Sequence, residues 1–188
     1  MFIRYNETNK YFEYDSAGGS GAGPWLKLPL FGYKFPVVYA QINGNLGHTT
    51  TTPADILSFT STPANFPTNA DLLHGSLGGI FAANTNAKTV TLSFDGATQI
   101  TLSGIATGSA GSWYLEFWIQ RATNSVMTGR YLAIYHNAAG TVTSISGLLS
   151  KSSLDFTANN YVTKVTIAGV ATNDVIGGSS KIIYEPAT

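Results

Sequence analysis

From Leu72 to Tyr184 the chain alternates apolar and polar residues in short runs separated by turn-forming residues, a pattern that only β-strands satisfy. Ser112 to Arg121 shows it best. Trp113, Leu115, Phe117 and Ile119 alternate with Tyr114, Glu116, Trp118 and Gln120, and successive side chains of a strand point to opposite faces. The first set is core and the second faces outward. The same reading predicts strands at Leu73 to Phe81, Thr89 to Phe94, Gln99 to Leu102, Val126 to His136, Thr141 to Ile145, Tyr161 to Ile167 and Val175 to Tyr184. Between them lie Asn84-Thr85-Asn86, Asp95-Gly96, Gly108 to Gly111, Asn137 to Gly140, Asn159-Asn160 and Asn173-Asp174, all tolerant of turn conformations. No segment sustains a helical period. The expected fold class is all-β, with residues 72–188 forming a two-sheet, jelly-roll-like β-sandwich.

In Val126 to His136, hydrophobicity assigns Val126, Leu132 and Ile134 to the core and turns Met127, Gly129, Tyr131, Ala133 and Tyr135 outward. Tyr114, Trp118, Tyr131 and Tyr135 then form an aromatic strip on the outside of one sheet. So much apolar surface calls for a cover. Burial between subunits is one explanation. Stacking of Trp118 and Tyr131 on the sugar rings of a glycan is the other.

The first 30 residues read as a separate appendage. Phe2 to Tyr5 and Tyr11 to Tyr14 make two short strands around the polar Asn6 to Asn9 connection, and a lone hairpin of this size needs something to dock on. Ser16 to Pro24 is a glycine/serine spacer, and Trp25 to Leu30 a short docking strand. Residues 31–71 read as an extended connection with a run at Lys34 to Gln41, followed by loop around one strand at Asp55 to Thr60.

Charge narrows the function. Only 11% of the 188 residues are charged, against about 25% in an ordinary soluble domain, and ten basic residues balance ten acidic ones. Clustered cations for nucleic-acid binding are missing. A surface with so little net repulsion favours association between copies. With no cysteine, the chain holds no disulfide and no thiolate site. Met1 leads directly into the hairpin pattern without a secretion signal or a membrane-spanning run, so the expectation is synthesis and assembly in the cytosol, or release by lysis, and a chain with no shaft before its first module.

The residues offer little for catalysis. His48, His74 and His136 are far apart in sequence and keep no metal or triad spacing. Serines beside glycine, as at Ser103-Gly104, lack a strand-to-helix elbow. Asp71, Asp95, Asp155 and Asp174 sit mostly in expected turns, and Glu116 is the one acid on an outward strand face, with a rim hydrogen bond to Arg121, Arg130 or a neighbouring subunit as its plain explanation. The expectation is no catalytic residue, no metal and no cofactor.

Two motifs carry a resemblance. Arg4-Tyr5-Asn6, Thr8-Asn9, Phe12-Glu13, Tyr14, Trp25 and Leu28 resemble a short attachment module of tailed-bacteriophage fibre and other virion proteins. Leu77 to Lys88, Val90 to Phe94, Gly96, Ala110-Gly111-Ser112-Trp113 and Trp118 to Arg121 look like the C-terminal jelly-roll domain of phage virion proteins, with Ala168-Gly169, Asn173-Asp174 and Ile182-Ile183-Tyr184 similar to its last strands. The resemblance implies a structural virion protein: a homotrimeric capsid decoration or cement protein of the head-fibre type on the capsid exterior. Its partners would be the major capsid protein or other virion proteins. Arg4, Tyr5, Phe12, Tyr14 and Trp25 would attach it to the particle, and Tyr114, Trp118, Tyr131 and Tyr135 would lie between subunits. The alternative is a tail-fibre or receptor-binding module for host surface glycans.

Overall fold

The computed structural model describes the backbone of residues 3–6, 11–15, 25–27, 37–42 and 46–47, and residues 52–64, 66–103, 110–137 and 139–187 in full. All regular structure in these residues is β. In chain order the strands are β1 (Ile3–Asn6), β2 (Tyr11–Asp15), β3 (Trp25–Lys27), β4 (Val37–Ile42), β5 (Leu46–Gly47), β6 (Ala54–Ser61) and β7 (Leu72–Phe81), then β8 (Lys88–Phe94), β9 (Ala97–Ser103), β10 (Gly111–Thr123), β11 (Val126–His136), β12 (Val142–Lys151), β13 (Tyr161–Gly169) and β14 (Val175–Glu185).

The chain divides into two units, Met1–Lys34 and Phe35–Ala187. The first holds a three-stranded antiparallel sheet, β1-β2-β3, whose register opposes Arg4 to Glu13, Tyr5 to Phe12 and Tyr14 to Leu26. The expected hairpin thus has a third strand. Its connecting residues 7–10, the spacer at 16–24 and Leu28 lie outside the described residues.

The second unit is a two-sheet antiparallel sandwich. The larger sheet runs β12-β11-β10-β7-β14-β4, with β5 also paired to β14, and the smaller runs β6-β13-β8-β9. Strands before Leu72 therefore contribute to both sheets: β4 and β5 to the larger and β6 to the smaller. Between the sheets the core includes Leu57, Leu77, Phe81, Leu92, Phe94, Leu115, Phe117, Val165 and Ile182. Phe66, in a segment the alternation reads as loop, is fully buried and packs on Phe156 and Tyr184 with ring centroids 5.7 and 6.2 Å away.

Turn chemistry sets the connections. Asp95 and Gly96 both have positive φ, 47° and 73°, as a tight turn between β8 and β9 requires. Lys151 Nζ reaches the Asp95 carboxylate at 2.7 Å and its carbonyl at 2.9 Å, tying the edge strand β12 of one sheet to this turn of the other.

The Asn84 to Lys88 segment is held by a buried polar network. The Lys88 ammonium donates to the Asn84 carbonyl at 2.9 Å, Asn84 Oδ1 at 2.7 Å and the Asn86 carbonyl at 2.8 Å. Asn84 and Asn86 donate in turn to the carboxylate of Asp174, which also accepts the amides of Val170 and Ala171. Burial pushes the Lys88 ammonium down, with the nearby Asp174 charge opposing. Burial alone would raise the Asp174 carboxyl, but the Asn84, Ala171, Asn86 and Val170 donors outweigh it and hold the group below the usual carboxylate range. The Asn-x-Asn-x-Lys run that carried part of the resemblance is thus a structural staple joining the β7–β8 and β13–β14 connections.

Candidate interaction surface

The outer face of the larger sheet is assembled from alternate residues of β7, β10, β11, β12 and β14. On β10 the expected split holds: Trp113, Leu115, Phe117 and Ile119 are buried, while Tyr114, Glu116, Trp118 and Gln120 face out. On β11 the expected split is reversed. Register places Tyr135 opposite Trp113, Ala133 opposite Leu115, Tyr131 opposite Phe117 and Met127 opposite Arg121, so all four share the inner face. Met127 and Ala133 are fully buried, and Tyr131 and Tyr135 pack against the core. The outward residues are Thr128, Arg130, Leu132 and Ile134. A single-residue change of register flips every side chain of a strand, and the shift at the Arg121 to Thr123 end of the β10–β11 ladder sets this one. The four-residue aromatic strip is therefore two pairs on opposite faces.

What lies outside is a cluster centred on Trp118. His74, its register partner on β7, stacks on the indole with ring centroids 5.0 Å apart and 11° between planes. Arg130, its register partner on β11, sets its guanidinium carbon 4.6 Å from the ring centroid. His74 and Arg130 thus reach the indole from β7 and β11, the strands on either side of β10. His74 Nε2 lies 2.7 Å from Glu116 Oε1, and its Nδ1 3.6 Å from Glu185 Oε1. Partial burial, and then the Glu116 carboxylate beside it, raise the Tyr114 phenol above the usual tyrosine range. Tyr114, Glu116, His74, Trp118 and Arg130 thus form a continuous chain of contacts across three strands.

Apolar residues border this cluster. Among the described residues, Ile80, Tyr114, Ile134, Val142 and Leu148 are the exposed large hydrophobic residues of this face. Two open grooves cross it. One of about 370 Å³ is lined by Leu72, Trp118, Gln120, Thr128, Arg130 and Leu148. The other, about 420 Å³, runs along Gly78, Ile80, Tyr114 and Gly178.

The remaining candidate residues are engaged separately. Glu116 bonds to His74, a partner on another strand that spacing along the chain does not reveal. Arg121 points inward, donating to the Phe66 carbonyl at 2.8 Å and Asn124 Oδ1 at 2.6 Å. Asp71 accepts the amides of Thr68 and Ala187, and Asp155 the hydroxyl and amide of Thr157. His136 lies against the Ser112 backbone. Among the described residues no group of three His, Cys, Asp or Glu side chains is placed to hold a metal ion, and His48 lies outside them. The side chains of Arg4, Tyr5, Phe12, Tyr14 and Trp25 lie outside them too.

No protein-family model and no curated protein sequence matches the chain. Among solved structures it is similar to peanut lectin with a 9mer peptide, at TM-score 0.37 and 9% identity over 82% of this chain and 100% of the lectin chain. It is also similar to a structure of infectious bursal disease virus, Gx strain, at TM-score 0.29 and 12% identity, covering 88% of this chain and 45% of that one. For the VP2 subviral particle of the same virus the values are TM-score 0.30, 14% identity, 88% and 44%. The chain spans less than half the length of the two viral chains.

Proposed function

We propose that this chain is a structural protein of a tailed-phage virion, a homotrimeric capsid decoration or cement protein whose sandwich associates with other copies through the outer face of its larger sheet. The observation that carries the self-association is the make-up of that face: exposed Ile80, Tyr114 and Ile134 around a Trp118 cluster whose polar groups already bond to one another. Interface cores favour aromatic residues and Arg, and a rigid surface loses little side-chain freedom on docking. The formal net charge of zero leaves little repulsion between copies. The two sequence resemblances supply the virion setting. They also supply the attachment role proposed for Arg4, Tyr5, Phe12, Tyr14 and Trp25, with the major capsid protein as partner.

Two measurements test this. Immunogold labelling or cryo-electron microscopy of intact virions should find the chain over the capsid; label confined to the tail tip rejects the decoration role in favour of a fibre. Light scattering should give a wild-type mass of three chains, or of six where two trimers pair through a separate contact, and a smaller mass for Trp118→Ala, whose loss removes the centre of the cluster. An unchanged mass would reject this face as the subunit contact. For the glycan alternative, Tyr131 packs inward and Trp118 is already stacked by His74 and contacted by Arg130, which leaves less of its ring free for a sugar.

A further inference from the structure

The four edges of the sandwich are not protected alike. β4 pairs with β14 through a register shift between Ile182 and Ile183, and Pro36 directly precedes it. β6 has a shift at Val165/Thr166, follows Pro53 and carries Asp55, whose carboxylate takes Lys164 and Thr166. The ladder of β9 is interrupted between Leu92 and Ser93. Bulges, prolines and charges are the devices by which natural sheets block edge-to-edge pairing. β12 has none of them over Val142 to Ser150. It pairs with β11 through ten successive residues without a shift, and among the described residues its other side has no ladder partner. Its one charge, Lys151, lies at the very end and is taken by Asp95.

An open edge offers backbone N–H and C=O groups to another extended strand, and the side chains of β12 indicate whose strand that is. Val142 and Leu148 are its two large exposed apolar residues, 60% and 87% accessible, and both project from the outer face. They lie three residues to either side of Ile145. We infer that β12 pairs antiparallel with β12 of a second copy about a two-fold axis at Ile145. In that register each Val142 faces the second copy's Leu148, so both exposed residues of each strand are covered by the same contact. Ser144 then faces Ser146, Thr143 faces Gly147, and Lys151 stays outside the paired segment. Such an isologous contact is closed and self-complementary, and it extends the larger sheet into one continuous sheet across two copies. The pairing does not depend on the virion reading. Acting alone it gives a dimer, and combined with a threefold contact it joins two trimers.

Two experiments on the full chain test it. Leu148→Lys sets a cation against Val142 at both ends of the pairing, at a position too exposed to disturb the fold. Light scattering should show the wild-type mass halved, from two chains to one or from six to three, with an unchanged thermal transition of the subunit. A wild type of one or three chains whose mass Leu148→Lys leaves unaltered overturns the inference, without touching the virion reading, which virion labelling decides separately. The register is tested by oxidative cross-linking, which starts from a background free of cysteine. An equal mixture of Val142→Cys and Leu148→Cys chains should form a covalent dimer, while either variant alone should not. Cross-linking no greater in the mixture than in the single variants overturns the two-fold register.

Discussion

Trp118 and His74 stand side by side on β10 and β7 as register partners, with nearly parallel rings 5.0 Å apart. The stack fixes the imidazole so that its Nε2 meets Glu116 at 2.7 Å. The indole and the imidazole therefore act as one unit.

That coupling is measurable. Trp118→Ala and His74→Ala should each destabilise the subunit, and the double variant should lose less than their sum. The interaction energy expected from a double-mutant cycle is about 0.5–1.5 kcal/mol, the range for stacked aromatic pairs. Urea denaturation of the four proteins measures it, and strict additivity would mean that the stack contributes nothing.

Tyr131 packs against the core, so Tyr131→Ala should act on folding. A loss of about 2 kcal/mol or more is expected for truncating a half-buried aromatic residue, somewhat below the range for a fully buried one. The oligomer mass of the folded fraction should stay the same. A variant that keeps wild-type stability but dissociates would return Tyr131 to the outer face.

Gly75 lies beneath the ring of Phe117. A methyl group added there would stand 2.1 Å from Phe117 Cζ, well inside van der Waals contact. Gly75→Ala should therefore cost about 1–3 kcal/mol through overpacking. Phe117→Leu in the same chain should recover part of that loss. Equal stability of Gly75→Ala and wild type in denaturant titration would contradict the close packing.

The Asp174 carboxyl is held below the usual range in the folded chain, so on acidification the unfolded chain takes up this proton first. Its contribution is complete above about pH 4, the ordinary aspartate value, and is lost as pH falls toward the depressed folded value. Asp174→Asn should lower stability at pH 7 by about 1–3 kcal/mol, as expected when buried donors lose a charged acceptor. Below pH 4 the gap between variant and wild type should narrow. Denaturation midpoints from pH 7 to pH 3 check this, and a gap that widens in acid has the wrong sign.

Most strands were legible because their signal is local. Val126–His136 has the bounds the alternation gives, and the Asp95-Gly96 turn follows from the φ values those residues tolerate. The alternation ends this strand at Ile145, but β12 continues to Lys151, where Gly147 makes room for the Tyr131 ring: a Cβ there would lie 2.8 Å from it. Phe66 joins the core although its neighbours look like loop. The reason lies across the molecule, in Phe156 and Tyr184. The Trp118 cluster was half visible: Trp118 and Glu116 stand on a clear outward face, but His74 and Glu185 come from strands that are neighbours only in the folded sheet.

The sequence by itself determined that this chain is a two-sheet β protein, since period-two alternation and turn residues act within a few positions of one another. It also determined that charge is sparse and balanced, with ten basic against ten acidic residues. Only the tertiary structure decided which face each strand presents. Facing depends on register across the sheet, where a shift at one hairpin reverses a whole strand, and β11 takes Tyr131 and Tyr135 inward and leaves Arg130, Leu132 and Ile134 outside for this reason. The order of strands likewise leaves β12 at an edge with no ladder partner on its outer side among the described residues, a position no property of its own residues could assign.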